Sequence, residues 1–307
     1  MTEVVAALDC GSNSTRLLVE NDVGDVLQRE MHITRLGQGV DVSGRLDAAA
    51  MARSFEVLAE YRVLMAEAGV SRGLLVATSA VRDAQNGDVF LNTAREITGV
   101  ECEVLTGEQE AAFSYEGATS GLAPDSRTTV IVDVGGGSTE LAMMMNATMY
   151  SFSMQLGCVR VTERSLGRDV VTPERASAAR IMIGEELDRA FGEVPAFGSV
   201  KGDVRLVGLA GTVSTLAQLD AGLSVYDRDA VHHRLLTRAT VCQWRDLLAL
   251  ESPPERLQHP GMVVGREDVL VAGLYVLDAV MERFGVGEVL SSESDILDGI
   301  VASLQRS

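Results

Sequence analysis

The sequence predicts an α/β chain of two duplicated lobes, each opening on an antiparallel three-strand meander that parallel strands and helices extend. Three observations carry the prediction. Residues 4–19 (VVAALDCGSNSTRLLV) and 129–145 (TVIVDVGGGSTELAMMM) are near copies: an apolar run ending in Asp, a Gly/Ser turn, and a second apolar run that opens Ser-Thr. At one constant offset Asp9 matches Asp133, Gly11 matches Gly135, Ser14 matches Ser138, Thr15 matches Thr139 and Leu17 matches Leu141, the mark of a duplicated supersecondary unit. After each copy the hydrophobic period passes from alternation to a helical repeat in the same order, and 307 residues suffice for two cores.

In the first half, a turn at 21–25 and a third strand at 26–34 complete the meander, and Gly37, Gly39 and Gly44 mark a loop. Asp47 is placed to cap a helix reaching Ala68, with Met51, Phe55, Leu58, Tyr61 and Met65 on one stripe and Gly69 as its stop. A buried strand at 74–78, a helix at 88–98, a strand at 102–106 and a helix opened by Thr106-Gly107-Glu108 follow. The order βββαβαβα is that of an RNase H-like unit. The second half repeats it from Thr129: a third strand at 148–155, a helix capped by Thr172-Pro173 and reaching Phe191, and a strand at 204–209 running into Ala210-Gly211-Thr212 and a helix. From Arg238 the chain reads as helical, broken over 252–265 by Pro253, Pro254 and Pro260, with a strand at 286–290 and a last helix from Glu293. The polar junction 119–127 puts the lobes at 1–121 plus 293–307 and at 122–292, with an active cleft expected between them.

Each Gly/Ser turn is too poor in side chains to pack. Its successive N–H groups offer a concavity for an anion, and the Asp before it can hold a divalent cation. The copies differ at one telling place, where Arg16 of the first stands opposite Glu140 of the second.

Composition narrows the partners. The net charge is −18 and Lys201 is the sole lysine, a field that repels nucleic-acid polymers, so an anionic substrate must be drawn by local arginines and bound cations. No apolar run approaches the ~20 residues that span a bilayer, so no membrane partner is expected. Cys10, Cys102, Cys158 and Cys242 show no paired or metal-type spacing, which suits reduced thiols in a cytoplasmic protein. The four histidines form no zinc pattern. The apolar stretch 269–284 serves a homodimer face as readily as a core.

Further segments, in order, are Ala77-Thr78-Ser79-Ala80-Val81-Arg82, Gly107-Glu108-Gln109-Glu110-Ala111, Gly157-Cys158-Val159-Arg160, Gly208-Leu209-Ala210-Gly211-Thr212 and Gly265-Arg266-Glu267-Asp268-Val269. Together with the two turns they resemble the exopolyphosphatase and guanosine pentaphosphate phosphohydrolase family, within the actin, Hsp70 and sugar-kinase superfamily. Longer members of that family carry further helical domains, and this chain is expected to end with the two-lobed core. The resemblance implies Mg²⁺-dependent hydrolysis of a terminal phosphoanhydride of inorganic polyphosphate, or of a phosphorylated guanosine nucleotide. An ATP-driven kinase or switch and a non-catalytic binding protein are the other readings.

It also implies roles. Glu110 is the base for the attacking water. Ser12, Asn13, Ser14, Arg82, Gly135, Gly136, Gly137, Ser138, Gly211 and Thr212 bind phosphate, and Asp133, Glu140 and Asp9 hold the metal. On a helix, residues two apart point about 200° from each other, so Glu108 and Glu110 do not share a face, and Asp133 with Glu140 is expected to raise the pKa of Glu110. Arg16, Arg160, Arg164 and Arg266 are candidates to line a substrate path or, as readily, to pair with carboxylates. Arg160 and Arg164, at helical spacing, are expected on one face. The family leads one to expect a basic residue in the terminal helix, where this chain has Asp295-Ile296-Leu297-Asp298-Gly299. Cys10 and Cys158 have no neighbouring base and read as small buried residues. The acidic body predicts better activity on short chains than on long ones.

Overall fold

A computed structural model describes residues 3–306. The chain divides into two compact units, Met1–Gly117 with Asp295–Ser307, and Ala118–Ser294.

The first unit holds one five-stranded sheet, built from β1 (Val4–Cys10), β2 (Ser14–Asn21), β3 (Val26–Ile33), β4 (Arg72–Ala77) and β5 (Glu101–Val104) in the order β3-β2-β1-β4-β5. β1 pairs antiparallel with β2 and parallel with β4, and β5 extends the parallel side. β1 is covered on both faces, which is why it reads as a continuous apolar run. Ala6, Leu8 and Cys10 pack with Leu58, Tyr61, Phe90 and Ala94 of the helices Ala48–Glu67 and Gly87–Thr98. Val5 and Ala7 pack on the other face with Ile296, Leu297, Ile300 and Val301 of the last helix, Ile296–Arg306. Asp47 caps its helix as expected, accepting from the N–H groups of Ala49 and Ala50.

The second unit holds six strands: β6 (Thr128–Val134), β7 (Thr139–Met145), β8 (Thr148–Met154), β9 (Val204–Leu209), β10 (Leu235–Thr237) and β11 (Glu288–Ser291), in the order β10-β11-β9-β6-β7-β8. Without β10 this is the first sheet repeated, so both units are RNase H-like. β10 is an antiparallel edge strand of three residues, too short to give an alternating signal. The core joins Val130, Val132, Leu141 and Met143 of the sheet to Ile183 and Leu187 of the helix Pro173–Glu193 and to Phe197 and Phe284.

Two expectations need correction. The apolar residues of the helix Leu270–Phe284 are buried in the core of their own unit, and so offer no dimer face. The last helix begins at Ile296 rather than Glu293, because Asp295 and Asp298 cap it reciprocally: Leu297 N–H donates to Asp295 Oδ1 and Asp295 N–H to Asp298 Oδ2. Asp298 also pairs with Arg29 of β3.

The last helix meets the helix Gly107–Thr119 backbone to backbone. A Cβ on Gly299 would lie 2.1 Å from Phe113 O, whereas one on Gly184, inside the helix Pro173–Glu193, would meet nothing within 4 Å. Gly299→Ala is therefore expected to lower stability by about 1–3 kcal/mol, and Gly184→Ala to raise it by roughly 0.5–1 kcal/mol. Urea unfolding compares them, and changes of the same sign would refute this packing.

Candidate active site

In the first unit the turn between β1 and β2 closes with Gly11 N–H donating to Ser14 O at 3.0 Å. Its carbonyls are tied from behind. Ser12 O accepts from Gly37 N–H at 2.8 Å, and Asn13 O accepts from the N–H groups of Thr34 and Arg35 at 3.1 and 3.0 Å. The N–H groups of Ser12 and Asn13 meet no acceptor among the described residues. Gly37 is required here, since a Cβ on it would fall 2.7 Å from Ser12 Cβ. Asn13 Nδ2 is buried without a partner.

The β6–β7 turn repeats this arrangement. Gly135 N–H donates to Ser138 O at 3.1 Å, Gly135 O accepts from Cys158 N–H at 2.9 Å, and Gly136 O accepts from Val159 and Arg160 at 2.9 and 3.2 Å. The N–H groups of Gly136, Gly137 and Ser138 meet no acceptor among the described residues. A Cβ on Gly157 would lie 2.2 Å from Gly136 O. Each turn thus has anchored carbonyls and unspent amides, the geometry of a fixed anion cradle.

At the carboxyl end of β4 a single helical turn, Ser79–Arg82, carries two site groups. Ser79 Oγ lies 3.0 Å from Ser12 Oγ, and Arg82 Nη1 donates to Leu105 O at 2.8 Å and to Glu110 Oε2 at 3.2 Å. Arg82 Nε and Nη2 keep their donors for a bidentate anion. Glu110 is buried in the helix Gly107–Thr119, which Thr106 and Gln109 cap reciprocally, while Glu108 on the same turn is exposed. The first unit therefore gathers Ser12, Asn13, Arg82 and Glu110 where parallel strands end, a usual ligand position in such sheets.

The duplicated strand ends carry different charge pairs. Asp9 stands across from Arg16, and Asp133 across from Glu140. Arg16 donates to Asp9 Oδ2 from Nε at 3.0 Å and from Nη2 at 2.7 Å, and also binds Asp295. Burial nevertheless raises the Asp9 pKa, against the pull of Arg16, and Asp9 Oδ1 is left buried without a partner. In the second unit two buried carboxylates oppose each other directly, with Ser153 Oγ donating to Glu140 Oε1 at 2.7 Å. Directly opposite residues of an antiparallel pair share a face, so Asp133 and Glu140 present two carboxylates together, the donor type that suits a hard divalent cation. No cluster of three potential ligands occurs among the described residues. Mg²⁺ needs none, since it binds through one or two carboxylates with waters and phosphate oxygens completing its shell. The residues fit that ion.

Around the second turn, Thr212 Oγ1 donates to Val134 O at 3.3 Å, and the Arg266 guanidinium lies over Gly211, where a Cβ would come within 1.2 Å of Nη1. Burial pushes the Cys158 thiol up to about 11 although Arg266 pulls it down, so this cysteine is a packing residue. Arg160 and Arg164 do not share a face. The α-turn Cys158–Val161 passes into a π-turn, Thr162–Leu166, which leaves Arg160 buried on Gln155 and Arg164 exposed.

Sequence reasoning singled out segments containing Gly37, Ser79, Gly157 and Asp295 without giving these residues a role, and it missed Ser153. Each of the two glycines stands soon after the third strand of its half. Gly157→Ala is expected to push the 135–138 turn out of place and lower phosphatase activity about 100-fold, with far-ultraviolet circular dichroism unchanged. Full activity in that variant would show that the buttress is dispensable.

A model of the Ppx/GppA phosphatase family matches residues 19–307. Exopolyphosphatase 2 of Mycobacterium tuberculosis is 38% identical over 317 residues, 98% of either chain. Among solved structures, an exopolyphosphatase-like protein is 32% identical with a TM-score of 0.92 over 99% of both chains. The Aquifex aeolicus member of the Ppx/GppA family is 29% identical with a TM-score of 0.80, over 99% of this chain and 98% of that one. With two anchored amide turns on duplicated RNase H-like units and similarity along nearly the whole chain, this protein belongs to the Ppx/GppA phosphatase family.

Proposed function

We propose that the protein is an exopolyphosphatase that hydrolyses the terminal phosphoanhydride of inorganic polyphosphate and releases orthophosphate. The observation that carries this reading is the pair of cradles with anchored carbonyls and free N–H groups; the name of the Mycobacterium tuberculosis relative supports it.

The reaction is a phosphoryl transfer to water through a loose transition state, so positioning and charge stabilisation do most of the work. In the first unit the N–H groups of Ser12 and Asn13, with Asn13 Nδ2, are donors for phosphate oxygens, and in the second the N–H groups of Gly136 to Ser138 are. Arg82 adds Nε and Nη2, and through Nη1 it holds Glu110 in place. Glu110 accepts a proton as the water oxygen bonds to phosphorus, the bridging P–O bond breaks, and the shortened chain leaves with the bridging oxygen. The proton then passes to solvent. Asp133 and Glu140 are the residues that would hold a metal in the second unit, and Asp9 Oδ1 is an oxygen for one in the first; bound Mg²⁺ would supply Lewis-acid stabilisation of the phosphate charge. The net charge of −18 favours short chains, since long polyanions meet more of the repulsive field.

Phosphate release from tripolyphosphate, long polyphosphate and guanosine pentaphosphate, with Mg²⁺ and with chelator, tests the reading. Glu110→Gln is expected to lower kcat by about 10²–10⁴-fold while polyphosphate still binds. Wild-type activity in that variant would remove Glu110 from catalysis, and turnover of guanosine pentaphosphate alone would replace the substrate.

A further inference from the structure

In the second unit the single turn Pro253–Arg256 ends on an arginine that the mechanism leaves unused. Pro253 at the first position and a capping box between Ser252 and Glu255 fix the turn, and Arg256 at its end is 1% exposed. Among the described residues no carboxylate pairs with it. Its guanidinium is met by backbone carbonyls instead: Nε donates to Leu248 O at 2.8 Å, Nη1 to Glu267 O at 2.9 Å and to Arg168 O at 3.2 Å, and Nη2 to Asp169 O at 3.1 Å. A buried cation is tolerated only where acceptors surround it, and the planar fork finds them on separate segments that it thereby ties together.

Two of those segments flank the second cradle. The carbonyls of Arg168 and Asp169 follow the π-turn Thr162–Leu166, which continues the turn Cys158–Val161. The N–H groups of Cys158 and Val159 are the ones that hold Gly135 O and Gly136 O. Glu267 comes directly after Arg266, whose guanidinium lies over Gly211 and whose charge reaches Cys158. Two residues further on, Val269 packs against Cys158 and Val159. An outer tie joins the same two segments, since Arg168 Nη1 lies 3.2 Å from Asp268 Oδ2. A shift between them would displace Arg266 from the anchored turn.

We infer that Arg256 is a positioning residue: without touching substrate, it sets the 265–268 loop so that Arg266 faces phosphate held in the second cradle. The inference rests on the exopolyphosphatase reading and deepens it by naming what aims one of the cations of that site. Lysine cannot take this place, because a single ammonium does not reach carbonyls spread around a planar fork.

The test is a double-mutant cycle on kcat/KM for tripolyphosphate in Mg²⁺. Arg256→Lys keeps the charge and loses the fork, and is expected to lower kcat/KM about tenfold, as a displacement of a fraction of an ångström does. In protein that carries Arg266→Gln the same substitution is expected to lower it by less than about twofold, while the fall in melting temperature caused by Arg256→Lys is the same in both backgrounds. An equal loss with and without Arg266, or no loss in folded Arg256→Lys protein, overturns the inference, because a merely structural arginine acts without regard to Arg266. Where Arg256→Lys does not fold, Arg168→Gln, which cuts the outer tie on a partly exposed side chain, decides by the same comparison. A wild-type chain that releases no phosphate removes the exopolyphosphatase reading instead; the cycle is then read from pyrophosphate affinity, where non-additivity supports the positioning role and additivity overturns it.

Discussion

The site depends on one arrangement of backbone hydrogen bonds, used twice. In each Gly/Ser turn the carbonyls are held from behind, by residues 34–37 in one unit and 157–160 in the other, so the amides stay unspent. A turn free to move would satisfy its own donors with water and pay to reorganise when phosphate arrived. An anchored turn has met that cost in folding, which is where electrostatic preorganisation comes from. Gly37 and Gly157 make the anchoring possible, because a side chain on either would occupy the space that the turn fills.

Divergence between the copies assigns them different work. At the first strand end Asp9 faces Arg16, and the pair is tied into Asp295 and so into the last helix. At the second, Asp133 faces Glu140, two carboxylates where the first unit has an ion pair. One exchange, arginine for glutamate on the partner strand, thus separates an ion-paired strand end from one that presents two carboxylates. Glu110 has Arg82 for a neighbour, and that guanidinium holds its carboxylate in place.

Much of this was legible in the chain. The duplication announced two sheets of one design, and Asp9, Asp133 and the two turns lie at equivalent strand ends because strand period and turn chemistry are local properties. The alternation of Glu108 and Glu110 between exposed and buried also followed from helix geometry alone. What stayed hidden depended on contacts distant in sequence or on departures from regular geometry. Gly157 looked like an ordinary motif glycine until its closeness to Gly136 O gave it a purpose. The π-turn at Thr162–Leu166 parted Arg160 from Arg164 although their spacing was helical. The helix Leu270–Phe284 could not be told from an interface helix by hydrophobicity, and only its burial decided the matter.

The central claim is that each turn binds phosphate through its amides. Its most direct test is amide nuclear magnetic resonance during titration with a non-hydrolysable bisphosphonate in Mg²⁺. The account predicts that the N–H signals of Ser12, Asn13, Gly136 and Gly137 all shift and saturate. Signals of either turn that stay in place would contradict it.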